Sequence, residues 1–256
     1  MSTTTAFGID IGGSGIKGAP VDLAAGRFAA PRVRIPTPQP ATPGAVAATV
    51  AELLGRFELA EGTAVGVTFP AVVQHGVART AANVDPSWIG TDVEEVLARA
   101  CGRAVHAVND ADAAGYAEAR FGAAAGASGT VLVATLGTGI GTALVVDGRL
   151  VPNLELGHLE IDGVDAETRA SSAAREREDL SWEDWAARLQ RYFRALEDLL
   201  WPDLVVVGGG VSKHADKFLP LLRLRTPVVP AMLRNDAGIV GAAALAARAF
   251  AEGGTA

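Results

Sequence analysis

Apolar residues cluster in short runs that end on glycine turns, and this rhythm occurs twice. Residues 5–11 (TAFGIDI) read as a buried strand entering GGSGIKG, and residues 17–23 as the strand that returns from it. Residues 27–35 (RFAAPRVRI) are expected to form a third, edge strand. The prolines of PTPQPATP (36–43) lack the N–H that a helix or inner strand needs, so this stretch is an extended connector. The pattern then predicts a helix over 43–57, a strand over 63–69, a short helix over 92–100, a strand over 104–109 and a helix over 111–121.

The second half opens like the first. Residues 130–136 (TVLVATL) predict a strand, GTGIG a glycine turn, and 142–151 a hairpin return. Trp182, Trp185, Leu189, Tyr192, Phe193, Leu196, Leu199 and Leu200 recur at spacings of three and four. That period assigns them to the core face of one amphipathic helix, with Ser181 as N-cap and Asp184 at the capping-box position. A strand over 203–207 runs into GGG, and a last helix is predicted over 237–251. Sliding residues 10–22 over 135–147 without a gap superposes strand on strand, Gly12 on Gly137, Gly13 on Thr138 and Asp22 on Asp147. A repeat at the start of each half predicts two related α/β domains facing each other across a cleft.

Composition narrows the possibilities. The 256 residues have room for two domains, and 49% hydrophobic content supports a sizeable core. No apolar run reaches the roughly 18 residues that span a bilayer, and the N-terminus carries no secretory pattern. A net charge of −7 argues against a general nucleic-acid binder but leaves room for a polyanionic ligand in a local basic groove. One cysteine, Cys101, makes neither an internal disulfide nor a cysteine-rich zinc site, and a reducing cytoplasm fits. The three lysines, Lys17, Lys213 and Lys217, all lie in or just after glycine-rich segments.

Those segments carry the candidate chemistry. A glycine turn lets backbone N–H groups converge on an anion because no Cβ blocks the approach. In the first loop Gly12, Gly13 and Ser14 are the candidate donors, Lys17 adds a charge, and Asp10 is the candidate Mg²⁺ ligand. In the second, Thr135 and Thr138 add hydroxyls beside Gly137 and Gly139. The third, with Gly209, Gly210 and Lys213, suits a flat base or a long phosphate chain. Any one of these loops alone reads more readily as a plain turn; three in order, two of them duplicated, point to phosphate. The Walker spacing is absent, and the first loop returns as a strand where a dinucleotide fold needs a helix.

Transfer of a phosphoryl group to an alcohol needs the donor held, the hydroxyl aimed and its proton accepted. Asp110, at the end of a predicted strand, is the candidate base, and an N-cap for the following helix is its competing reading. Asp112 reads as a first-turn acid. Glu155, His158 and Glu167, with Asn83 and Asn109 from the first half, are candidates to bind vicinal sugar hydroxyls; a solvated acidic loop is the alternative. Zinc at His158 would need further close ligands that the segment does not supply.

The segments GIDIGGSGIKG, AVND, TLGTGIGTALVVDG, ELGH and VVVGGG, in this order, resemble the ROK sugar kinases over nearly the whole chain. The likeness is closest to the polyphosphate-using glucokinases of actinobacteria, in IPTPQPATP, GVTFPAVVQHGVARTAANVDPSWIGTD, NDADAAGYAEARFG, HLEIDGVDAETRASS and LLRLRTPVVP. The resemblance implies an actin-like (ribonuclease H-like) ATPase fold. Its expected division is a small domain of residues 1–109 plus the C-terminal helix 238–256, and a large domain of 110–237. It implies transfer of a terminal phosphoryl from inorganic polyphosphate, and from ATP, to O6 of glucose, with Mg²⁺ and a cytoplasmic homodimer. Asp110 matches the family's base, and Asn83, Asn109, Glu155, His158 and Glu167 its sugar contacts. The cysteine-rich zinc motif that many members carry after Gly-His is replaced here by LEIDGVDAETR, so no structural zinc is expected. Lys213, Lys217, Arg169 and Arg175 are candidate contacts to a longer phosphate chain. The rival readings are a strictly ATP-dependent gluco- or mannokinase, a polyphosphate or nucleotide hydrolase, and a sugar-responsive regulator, which would need an N-terminal helix-turn-helix before residue 5.

Overall fold

The computed structural model describes residues 5–253, which divide into two compact units, 5–117 with 236–253 and 118–235. In the first unit, β1 (Thr5–Gly12) and β2 (Gly15–Asp22) form the expected hairpin. The predicted edge strand is two short ones, β3 (Arg27–Phe28) and β4 (Val33–Ile35), both paired to β2. Pro31 has no N–H to donate between them, which explains the interruption. After α1 (Pro43–Leu54) come β5 (Val65–Phe69), the small hairpin β6 (Val73–Gln74) and β7 (Val77–Ala78), α2 (Val93–Cys101), β8 (His106–Asn109) and α3 (Asp110–Phe121). Asp92 caps α2 by accepting the Glu95 N–H at 2.8 Å, and Gly102 closes it in the left-handed region. The sheet order is β3-β2-β1-β5-β8, with β1, β5 and β8 parallel.

The second unit repeats that plan. It contains β9 (Thr130–Leu136), β10 (Ile140–Val146), β11 (Arg149–Val151), the two-residue strands β12 (Glu160–Ile161) and β13 (Val164–Asp165), α4 (Ala166–Ala170), α5 (Ser172–Arg177), α6 (Trp182–Leu200), β14 (Leu204–Gly208), α7 (Ala215–Phe218) and β15 (Val228–Pro230). Its sheet order is β11-β10-β9-β14-β15, the same as the first, with β9, β14 and β15 parallel. The gapless superposition of the two hairpins needs one correction. Ile11 faces Ile16 in the first hairpin, whereas Leu136 faces Ile140 in the second. The second return strand is therefore displaced by one residue, and the Asp22–Asp147 match is not a structural equivalence.

Both faces of each sheet are buried. In the first unit Phe7, Ile9, Val67 and Phe69 pack with Val50, Leu53 and Leu97 of α1 and α2. The opposite face takes the last helix, α8 (Ala237–Gly253), against β1 and β5. Gly8 and Gly66 sit under it, and a Cβ on either would overlap the carbonyl oxygen of Ile239 or Ala242. In the second unit Trp185, Leu189, Tyr192, Phe193 and Leu196 of α6 cover Leu132, Ala134 and Leu136, while Val131, Val133 and Val206 belong to a separate cluster with Ala124. Ser181 caps α6 through the Asp184 N–H, and its hydroxyl in turn donates to the Asp184 carboxylate. Leu199, expected on the core face, is 64% exposed. It lies in the final turn, which ends at Trp201 in the left-handed region. Among the described residues no helix is long and apolar enough to cross a membrane.

Candidate active site

β1 delivers the first glycine turn to the carboxyl edge of its sheet. Gly12 pairs with Gly15, and Gly13 and Ser14 make the reversal. Three side chains from residues 34–39 grip the turn by its carbonyls. Thr37 Oγ1 donates to Gly12 O, Gln39 Nε2 to Gly13 O at 3.4 Å, and Arg34 Nη2 to Ser14 O at 2.7 Å. These bonds consume acceptors only, which leaves the turn's N–H groups as its contribution to an anion. The connector is itself anchored at Ala41, whose carbonyl accepts from the buried Trp88 indole at 2.9 Å.

Asp10 lies one step back along β1. Its Oδ2 is 3.1 Å from Lys17 Nζ, its cross-strand neighbour on β2, and its Oδ1 accepts from Thr68 on β5 at 2.9 Å. Thr68 was not foreseen; the signal was a hydroxyl inside the otherwise apolar run VGVTF, and it is fully buried. Gly238 at the start of α8 is close by: a Cβ there would stand 3.6 Å from Asp10 Oδ1. Asn83, exposed and in the left-handed region, lies against Gly13.

Asp110 follows β8 directly. Since β1, β5 and β8 are parallel neighbours, it emerges from the edge that carries the glycine turn, two strand spacings or about 10 Å across. The competing cap reading goes to another residue. Asn109 Oδ1 accepts from the N–H groups of Ala111 and Asp112 at 2.9 and 3.1 Å, so Asn109 caps α3. Asp110 is the first helical residue, exposed to solvent, with Oδ1 2.9 Å from the Ala111 N–H. Asn109 is buried, and its amide also donates one N–H to Ala71 O at 3.0 Å.

In the second unit the turn Gly137–Thr138–Gly139 is tied down from two sides. Ala173 N–H donates to Gly137 O at 3.0 Å, and Glu167 Oε2 accepts the Ile140 N–H at 2.7 Å. Thr135 donates across the hairpin to Gly141 O at 3.3 Å. The third loop lies alongside: Gly209 has φ +84°, and a Cβ there would overlap Leu136 O. Gly137, Thr138, Gly210, Lys213, Arg175 and Trp182 line one cavity of 400 Å³. Arg169 is not among them. It lines a separate cavity of 260 Å³ with Arg188, Arg191 and Tyr192.

Glu155, His158 and Glu167 gather around a residue the sequence reading missed. Asp165 caps α4 through the Glu167 N–H at 2.9 Å with one oxygen and meets His158 Nδ1 at 2.8 Å with the other. His158 Nε2 is 4.0 Å from Glu155 Oε2. The hydrogen bond to Asp165 raises the His158 pKa above its ordinary value; partial burial opposes this, and the charges of Glu167, Asp165 and Glu155 add to it. An aspartate two residues before a glutamate at a helix start was the available signal.

No cluster of three or more His, Cys, Asp or Glu side chains able to hold a metal occurs among the described residues. The half-buried Cys101 is a poor ligand, its thiol pushed up to about 11 by burial. The lone carboxylate of Asp10 suits a metal that arrives on the donor's phosphates, because Mg²⁺ keeps several waters and needs only one or two carboxylates.

Two sheets of identical order, each opening on a glycine hairpin, define an actin-like ATPase fold. Known proteins agree. The ROK family pattern matches residues 6–174, and the chain belongs to the ROK family. It is 54% identical to the polyphosphate glucokinase of Mycobacterium tuberculosis (strain CDC 1551 / Oshkosh) over 93% of this chain and 89% of that one. It is 51% identical to the polyphosphate glucokinase of Mycobacterium leprae (strain TN), over 93% and 73%. The crystal structure of inorganic polyphosphate/ATP-glucomannokinase from Arthrobacter sp. strain KM is 59% identical and superposes with a TM-score of 0.91, covering 96% of this chain and 99% of that one.

Proposed function

We propose that this chain transfers the terminal phosphoryl group of inorganic polyphosphate, with ATP as a second donor, to O6 of glucose. The observation that carries the reading is 54% identity with a polyphosphate glucokinase across 93% of the chain. The exposed carboxylate at the end of β8 adds support.

In this reading Glu155, His158 and Glu167 bind sugar hydroxyls, and Asp165 holds the His158 ring in place; Asn83 is a further candidate sugar contact in the first unit. Glu167 has a second duty, since one of its oxygens also fixes the Gly137–Gly139 turn. Asp110 accepts the proton of the 6-hydroxyl as O6 attacks the terminal phosphorus. The bond from that phosphorus to its bridging oxygen breaks, and the shortened chain or ADP leaves with the electron pair. Lys17 and the N–H groups of Gly12, Gly13, Ser14, Thr138 and Gly139 stabilise the negative charge of the loose transition state, while Gly137, whose own N–H donates to Gly139 O at 2.9 Å, leaves room for the donor. Mg²⁺, held through Asp10 when bound, would neutralise donor-phosphate charge. The cytoplasmic homodimer implied by the resemblance belongs to the same reading, and light scattering on the eluted protein tests the dimer.

The deciding experiment is a coupled assay of the purified protein with glucose and Mg²⁺, comparing polyphosphate with ATP. Glucose 6-phosphate formed from polyphosphate is the expected result. Activity with ATP alone would overturn the donor assignment, and activity with neither would overturn the whole reading.

A further inference from the structure

The cavity that joins the second and third glycine loops carries cations of an unusual kind. Elsewhere on α5 and α6 the arginines are paired: Arg177 and Arg188 with Glu178, and Arg191 with Asp162. Arg175, Lys213 and Lys217 have no carboxylate partner among the described residues. The cavity holds one acid, the exposed Glu176.

Arg175 is also held in place. Its guanidinium carbon lies 3.8 Å from the centroid of the Trp182 ring, a direct face contact, and its Nε is buried without a hydrogen-bond partner. Lys217 Nζ is 5.5 Å from the same centroid, and the Phe218 ring is near-parallel to the indole at 6.0 Å. A free aromatic face in such a cavity would serve to stack a base. Here a cation covers it, so the indole orients a guanidinium fork, whose geometry matches phosphate oxygens.

Building on the proposed activity, we propose that Arg175, positioned by Trp182, selects the donor: it binds phosphates of a polyphosphate chain beyond those that ATP possesses. A nucleoside triphosphate ends in ribose and base after three phosphates. A longer chain keeps presenting negative charge, and Arg175, Lys213 and Lys217 meet it.

The test compares the wild-type chain with Arg175→Gln, Arg175→Lys and Trp182→Phe. The ratio of kcat/KM for a long polyphosphate to that for ATP should fall about 10-fold or more in Arg175→Gln, the loss of a charge-assisted phosphate contact. Arg175→Lys should recover part of it, because the charge returns without the planar fork. Trp182→Phe keeps an aromatic face and should lose less than Arg175→Gln. Calorimetric binding of long-chain polyphosphate without glucose should weaken in step, whether or not turnover occurs. An equal loss with both donors, or unchanged polyphosphate binding in Arg175→Gln, would overturn the inference while leaving the proposed function of the wild-type chain standing. Failure of the wild-type chain to use polyphosphate would instead strike the proposed function, and the binding measurement would still decide the role of Arg175.

Discussion

Thr37 reaches from the proline-rich connector to donate its hydroxyl to the carbonyl of Gly12, the residue on which β1 turns back. Arg34 and Gln39 treat the next two carbonyls likewise, so a segment without regular structure sets the shape of a phosphate-binding turn. Replacing Thr37 by valine keeps the volume and removes the donor. The KM for polyphosphate and for ATP should rise roughly 5-fold, the worth of about 1 kcal/mol, with KM for glucose changed less. Steady-state kinetics with each substrate varied in turn checks this.

Asp110→Asn retains the shape of the side chain and removes the base. Turnover should fall by about 10³-fold, within the range for loss of a general base, while glucose binding measured by calorimetry stays within a few-fold of wild type. Near-normal turnover would assign the base elsewhere.

The glycines beneath α8 are a matter of stability. Gly66→Ala would drive a methyl group into the Ala242 carbonyl, and Gly8→Ala into that of Ile239. Each should cost about 3 kcal/mol, the upper part of the usual range for overpacking, and thermal or denaturant unfolding measures it. Gly62→Ala, where a Cβ meets nothing, fails for another reason: its φ of +75° strains an L-residue, and a smaller loss is expected.

His158 should titrate above the ordinary imidazole value because Asp165 binds its Nδ1 proton. Its folded pKa is raised, so the stability it contributes is complete below the unfolded value of about 6.5 and is lost as pH rises through the folded value. Asp165→Asn should move the His158 titration downward, followed by NMR of the ring proton. An unchanged midpoint would mean that the hydrogen bond does not govern this histidine.

Much of this was legible in the residues. The glycine hairpins, the α6 core face and the cap at Ser181 followed from spacing alone, because local geometry decides them. What was not legible depended on tertiary partners. Asp110 and Asn109 compete for one cap, and only the backbone direction at the end of β8 gives it to Asn109. The one-residue displacement of the second hairpin leaves no trace in a gapless match. Thr68 and Asp165 act through neighbours 58 and 7 residues away along the chain, and a periodic pattern does not reveal such pairs. Arg169 and Arg175 look alike in the sequence, yet they line different cavities.

The most direct test follows phosphorus itself. Purified protein, glucose, Mg²⁺ and polyphosphate of defined length are mixed, and ³¹P NMR tracks every phosphate. One glucose 6-phosphate should appear for each residue lost from the chain, with no orthophosphate. Orthophosphate released without sugar phosphate would contradict the account and mark the chain as a hydrolase.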